Sequence, residues 1–290
     1  MATTIISGKE ISKAFKDRLK KSIELLKIQK ENDPNAVFPG LAVIQVGSDP
    51  ASSIYVNNKK KSCEEVGIVS FSYTLDDSAT ESELIELIEA LNVDPRVHGI
   101  LCQLPLPKHM DEFSVINAID HRKDVDGFHP VNKGLLSIGR DCLVSCTPLG
   151  CLMMLKEMNI DICGKNCVII GRSNIVGKPL AALMLAENAT VTIAHSKTNN
   201  LKALCQTADI LVAAIGRSGF VTADYVKPGA VVIDVGINRD PDNKVRGDVN
   251  YDEVFEVAGA ITPVPGGVGP MTIAMLMQNT YQAYLSLTQS

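Results

Sequence analysis

Apolar positions along the chain follow two rhythms. Short runs at Leu41 to Val46, Ile68 to Tyr73, Val97 to Gln103, Cys167 to Ile170, Thr190 to Ala194, Ile210 to Ile215 and Ala230 to Val235 read as strands. Several are apolar throughout, whereas a strand wet on one face alternates apolar and polar side chains, so helices should cover both faces of the sheet. Between the runs lie amphipathic segments at 9–31, 50–66, 80–91, 148–158, 177–187 and 198–206. Strands alternating with helices predict an α/β protein with mostly parallel strands.

Local signals mark some boundaries. Asp49-Pro50 offers an N-cap followed by proline at the first helical position, and Gly67 offers a stop. Thr147-Pro148 starts another helix in the same way. Val131 to Cys146, with Gly134, Gly139 and little periodicity, reads as the crossing between domains. A last helix begins at Pro270 and is expected to pack back on the first domain. At 290 residues and roughly 150 per domain, two domains are expected. We place them at 1–146, completed by 270–290, and at 147–269. The second reads as a Rossmann-like doubly wound parallel sheet.

Composition narrows the class. Hydrophobic residues make up 46% and charged residues 21%, with 28 Lys+Arg against 33 Asp+Glu, net −5. A chain of this charge has no positive field to draw it to nucleic acid or an anionic membrane. No apolar run reaches the roughly 18–20 residues that span a bilayer, and the N-terminus lacks the basic and apolar regions of a signal peptide. A cytoplasmic location is the expectation. The eight cysteines form no Cys-x-x-Cys pair, and we read them as reduced and mostly core. None of His98, His109, His121 or His129 shows metal-ligand spacing, so no metal site is expected.

Several segments could carry chemistry. Gly171-Arg172-Ser173-Asn174-Ile175-Val176-Gly177 stands between a strand and a helix, where a helix N-terminus could receive a phosphate; a purely structural turn is the alternative. His195-Ser196-Lys197-Thr198 follows the next strand, where an NAD-specific fold usually places an acid. Hydroxyls and bases there, with Arg172 close by after the preceding strand, favour NADP, although a solvated loop reads equally well. Tyr55 and Lys59, four residues apart on one helix, share a face. Short-chain dehydrogenases also pair Tyr with Lys, but their dinucleotide glycines precede the pair, and here they follow it. Gln103 closes a strand before Leu104-Pro105-Leu106-Pro107, at the end where open α/β sheets bind ligands. Lys123-Asp124-Val125-Asp126-Gly127 reads either as a site with two carboxylates or as a polar turn. The glycines of Thr262 to Pro270, set between prolines, suggest close backbone approach to a ligand.

In order along the chain, Ser53-Ile54-Tyr55-Val56-Asn57-Asn58-Lys59, Gln103-Leu104-Pro105-Leu106-Pro107, Lys123-Asp124-Val125-Asp126-Gly127, Cys146-Thr147-Pro148, Gly171-Arg172-Ser173, His195-Ser196, Asp234-Val235-Gly236-Ile237-Asn238 and Pro263 to Pro270 resemble the methylenetetrahydrofolate dehydrogenase/methenyltetrahydrofolate cyclohydrolase family. Cys102 departs from the valine expected there. The resemblance implies NADP-dependent oxidation of methylenetetrahydrofolate, then hydrolysis to 10-formyltetrahydrofolate, a step in one-carbon metabolism that feeds purine biosynthesis. It implies Lys59 as the central catalytic group, held by Gln103, with Tyr55 stacking near the folate and Asp126 anchoring the pterin. Cys102, Leu104 and Pro265, Gly266, Gly267, Val268 and Gly269 would complete the substrate side. Thr147, Gly171, Arg172, Ser173, Ser196, Gly236 and Ile237 would hold NADP, across an active-site cleft between the domains. A lysine beside a cationic substrate is disfavoured as an ammonium, which suits proton transfer to and from water. The family is usually a homodimer. Another NADP-dependent oxidoreductase on a similar two-domain frame is the alternative; a regulator that has lost catalysis fits less well, because Tyr55, Lys59, Gln103 and Asp126 are all present.

Overall fold

The computed structural model describes residues 3–47, 50–240 and 244–288, with residues 50–55 as backbone only. In chain order the first elements are β1 (Thr4–Ile5), α1 (Gly8–Gln29), β2 (Gly40–Val46), α2 (Pro50–Val66), β3 (Val69–Leu75), α3 (Glu81–Val93) and β4 (Gly99–Cys102). There follow α4 (Glu112–Ala118), α5 (Pro130–Ser137), α6 (Cys146–Glu157), β5 (Asn166–Ile170), α7 (Gly177–Ala186), β6 (Thr190–Ala194) and α8 (Leu201–Cys205). The remainder comprises β7 (Ile210–Ala213), a 3₁₀ turn at Ala223–Tyr225, β8 (Val231–Asp234), β9 (Asn238–Arg239), β10 (Val245–Arg246), α9 (Tyr251–Phe255), β11 (Ala260–Ile261) and α10 (Val268–Thr288).

The chain forms two compact units, one of residues 14–146 with 273–290 and the other of residues 1–13 with 147–272. In the first unit, β2 lies between β3 and β4 in a parallel sheet. All seven residues of β2 and all four of β4 are buried; the runs are apolar but for Gln45, whose amide donates to Gly47 O at 3.1 Å. The core there gathers Ile44, Ile100, Leu84, Ile88 and Val115. Winding runs from β2 to β3 on one side and returns to β4 on the other, so its direction reverses at β2. Such a reversal opens a crevice at the C-terminal strand ends.

The second unit carries a six-stranded parallel sheet in the order β1-β11-β8-β7-β5-β6. Here the reversal falls at β5, with β6 on one side and β7 on the other. β7 is buried throughout, whereas the edge strand β6 alternates in exposure. The order is that of a doubly wound fold. An antiparallel pair, β9 with β10, stands apart from the main sheet.

Four sequence readings need correction. The first thirteen residues join the second unit, because β1 pairs with β11 at the sheet edge. The segment Val131 to Cys146 is not an open crossing: residues 130–137 form α5, whose start is capped by the His129 side chain, and the boundary between units falls at Cys146/Thr147. Proline at the first position suits that helix. α8 begins only at Leu201, because His195 to Thr198 closes into a turn in which the Thr198 hydroxyl accepts the His195 N–H at 2.9 Å. α10 begins at Val268, leaving Pro270 in its first turn. The N-cap read at Asp49 lies outside the described residues. Six cysteines are buried, Cys142 is half-buried and Cys163 exposed.

Candidate active site

In the unit of residues 14–146 and 273–290, α2 carries Lys59 and the end of β4 carries Gln103. The Lys59 ammonium donates to Gln103 Oε1 at 2.8 Å. Gln103 is fixed on its other side, with Nε2 donating to Leu104 O at 2.7 Å and its backbone N–H to Ile44 O at 2.8 Å. The pair therefore sits at the C-terminal end of β2 and β4, where the winding reverses. Tyr55 lies one turn before Lys59 on α2; its side chain is outside the described residues.

Asp126 completes this group. Burial pushes its carboxyl up to about 6, against the opposing pull of the Lys59 charge and the Cys146 thiol. Its neighbours in the motif have structural duties. Lys123 donates to the carbonyls of Leu91 and Asp94 at 3.1 and 3.0 Å, and Asp124 accepts from His129 N and Asn132 Nδ2 at 2.8 and 3.0 Å. Of the two carboxylates, only Asp126 is left for a ligand. Gly127 makes the turn, with φ of 67°, and a Cβ there would collide with the Ser145 backbone. The Cys102 thiol, buried near Asp126, is pushed up to about 12 by that burial, so it stays protonated. Sequence reasoning missed Asn279 on α10. Its amide donates to the carbonyls of Val125 and Val144 at 2.8 Å each, pinning the segment that carries Asp126.

In the other unit, Gly171 follows β5 at the reversal point. A Cβ there would collide with Ala214 O, just past β7, and its φ of 131° suits only glycine. Arg172, Ser173 and Ser196 are exposed around this turn. The expectation of free N–H groups at the start of α7 is not met. Ser173 Oγ accepts from Val176 N and Gly177 N at 3.1 and 3.4 Å, and Ser173 O accepts from Lys178 N at 3.1 Å. The serine in the place of a second glycine thus caps its own helix, and a phosphate here would meet the Arg172 guanidinium and hydroxyl groups. The backbone cradle at Gly171 and these donors fit a dinucleotide. Thr147 Oγ1 lies 3.0 Å from Thr272 Oγ1.

Gly236 and Ile237, expected on the cofactor side, and Pro265 to Gly269, expected on the substrate side, line one cavity of about 190 Å³ in this unit. Ile237 is 55% exposed, a large apolar side chain left free for a ligand. The loop behind it is held by Asp234 and Asp248, two buried aspartates whose pairing no local pattern announces.

Two family models match the chain: the tetrahydrofolate dehydrogenase/cyclohydrolase catalytic domain over residues 6–126, and the NAD(P)-binding domain of the same name over 145–288. A bifunctional protein FolD of Acetivibrio thermocellus is 58% identical over 283 residues, 98% of this chain and 97% of that protein. The crystal structure of the bifunctional methylenetetrahydrofolate dehydrogenase/cyclohydrolase FolD of Campylobacter jejuni is similar at a TM-score of 0.95 and 46% identity, covering 99% of this chain and 100% of that one. The Trypanosoma brucei enzyme, solved with NADP cofactor and inhibitor, is similar at a TM-score of 0.93 and 35% identity, covering 100% of each chain.

Proposed function

The chain belongs to the tetrahydrofolate dehydrogenase/cyclohydrolase family, and on that premise we propose which residues carry each of its two reactions. The protein oxidises 5,10-methylenetetrahydrofolate with NADP⁺ to the methenyl cation and hydrolyses that cation to 10-formyltetrahydrofolate. The observation that carries the assignment is the Lys59–Gln103 hydrogen bond of 2.8 Å in the unit that also holds Asp126.

In the hydrolytic step Lys59 works as the neutral amine, the form favoured beside a cationic substrate: water adds to the amidinium carbon and loses one proton to it. Opening of the ring then needs a proton on the departing nitrogen, and Lys59 returns it; the second proton of the water stays on the product until it is lost to solvent. Gln103, held at both ends of its amide, keeps the Lys59 nitrogen in one place. Asp126 accepts hydrogen bonds from the pterin, and Tyr55 stacks against the folate. Cys102 and Leu104 border that place, and Pro265, Gly266, Gly267, Val268 and Gly269 are assigned to the substrate on the family resemblance alone.

When bound, NADP⁺ supplies the hydride acceptor, and the protein supplies alignment. Arg172 with Ser173 and Ser196 meets the 2′-phosphate, while Thr147, Gly171, Gly236 and Ile237 hold the rest of the molecule. We propose also a homodimer, a cytoplasmic location and a supply of formyl groups to purine biosynthesis, all on family resemblance; sedimentation tests the first. No described helix is long and apolar enough to cross a membrane.

The deciding assay mixes the protein with NADP⁺ and methylenetetrahydrofolate and follows methenyl absorbance. Formation dependent on both reagents, followed by enzymatic decay, is expected. Reduction of NADP⁺ by another substrate, with none by methylenetetrahydrofolate, would overturn the assignment.

A further inference from the structure

Three backbone segments meet at two buried carboxylates in the unit of residues 1–13 and 147–272. Asp234, at the end of β8, accepts from Gly236 N, Asp248 N and Val249 N at 2.9, 2.9 and 3.0 Å. Asp248 accepts from Ile215 N, Gly216 N and Arg217 N at 2.6, 3.0 and 2.7 Å, and from Asn238 Nδ2 at 2.9 Å. The relative exposures of the two aspartates are 3% and 0%.

The two segments make room for each other. A Cβ on Gly236, in the Asp234 segment, would collide with the Asp248 carboxylate and backbone; a Cβ on Gly247, beside Asp248, would collide with the Asp234 carboxylate. Burying two carboxylates so close together is costly unless each is saturated with donors. Here six backbone N–H groups and one side-chain amide supply them. A core that needed only filling would use apolar side chains, as the rest of this sheet does. What the pair adds is direction: it fixes the loop after β7 (215–217) and the loop after β8 (236–238) in one mutual arrangement.

We infer that Asp234 and Asp248 form a positioning pair that aligns the 215–217 and 236–238 loops for NADP⁺ and so sets its affinity. The inference rests on the reading that Gly236 and Ile237 touch the cofactor. Asp248 is fully buried, and Asp234, which also borders the cavity, has its carboxylate engaged by backbone N–H groups, so both act through the backbone they hold.

The test uses Asp248→Asn in the full chain. Either orientation of the new amide turns its NH₂ toward N–H groups, so donors face donors along one side of the site. Leaving such groups unpaired costs about 1–3 kcal/mol, so the Kd for NADP⁺ by calorimetry should rise roughly 5- to 150-fold. The kcat at saturating NADP⁺ should stay within about threefold, since binding remakes the arrangement. Asn238→Ala, which removes one donor and no carboxylate, should give a smaller shift of the same kind. Ile237→Ala separates the two levels of the argument. If Ile237→Ala weakens NADP⁺ and a folded Asp248→Asn does not, the positioning pair is wrong and the cofactor reading stands. If neither changes Kd, the loop does not touch the cofactor and both fail. If Asp248→Asn lowers Tm and cyclohydrolase activity together with NADP⁺ binding, while Asn238→Ala leaves Kd unchanged, the pair serves folding alone and the inference is overturned.

Discussion

Replacing Lys59 with methionine separates the two reactions. Methionine keeps much of the length of the side chain but offers no proton site. A positioned acid–base group is worth 10²- to 10⁴-fold in rate, or about 3–5 kcal/mol, and the cyclohydrolase step should lose that amount. Hydride transfer removes no proton from water, so the dehydrogenase should keep a measurable fraction. The structure adds a second consequence. The Lys59 charge is the chief influence holding the Asp126 carboxyl down, against a burial that already lifts it to about 6. Without that charge Asp126 rises further, and the pH at which folate KM begins to climb should move upward with it. Gln103 Oε1 also loses its 2.8 Å donor; being only half-buried it can turn to water, at a cost of about 1 kcal/mol or less. The variant should therefore stay folded. The assay supplies methenyltetrahydrofolate directly, follows its loss corrected for spontaneous hydrolysis, and measures dehydrogenase on the same preparation between pH 6 and 8. Retained cyclohydrolase would refute Lys59 as the proton carrier. Equal loss of both activities in a folded variant would make it a substrate-positioning residue.

Asp126→Ala should raise folate KM and depress both activities while leaving NADP⁺ binding by calorimetry unchanged; normal folate kinetics would return the segment to a structural turn. In the wild type, folate KM should rise as pH falls through about 6, where the Asp126 carboxylate is protonated, and this rise should vanish in Asp126→Asn. Arg172→Ala should weaken NADP⁺ roughly 10- to 150-fold, the worth of a charge-assisted hydrogen bond, with NAD⁺ changed much less; equal weakening of both would exclude the 2′-phosphate role. His98 gives a stability prediction: its Nδ1 accepts the Gly40 N–H at 3.1 Å, and burial pushes its pKa down to about 4. Because the unfolded imidazole titrates near 6.5, the contribution of the neutral ring is complete above that pH and is lost as pH falls toward about 4, about 3 kcal/mol in all. Urea midpoints should fall over this window in the wild type and much less in His98→Asn, and equal slopes would remove His98 as the cause.

What could be read in the sequence follows from the range over which each feature is written. The parallel architecture was legible because β4 and β7 are buried on both faces, and burial on both faces imposes an unbroken apolar run that needs no partner to be recognised. Lys59, Gln103 and Asp126 were legible as a group only through their resemblance to a family. Nothing local says that residues 44 positions apart share a 2.8 Å hydrogen bond. β1 and β11 were missed because two residues carry no period. α5 was missed because eight residues, one of them Gly134, barely make two turns, and its cap is a histidine rather than a serine, threonine, aspartate or asparagine. The turn after β5 was half legible. Its glycine was visible, but the use of Ser173 to cap α7 depends on a loop geometry that sequence does not state. Asp234 and Asp248 show most clearly where local reading stops. Each looks like an ordinary polar residue one or two positions from a glycine, and each glycine is explained by the other aspartate. An aspartate within two residues of a glycine in each of two segments is thus a signal of mutual packing, but it becomes one only after the fold has put the segments side by side.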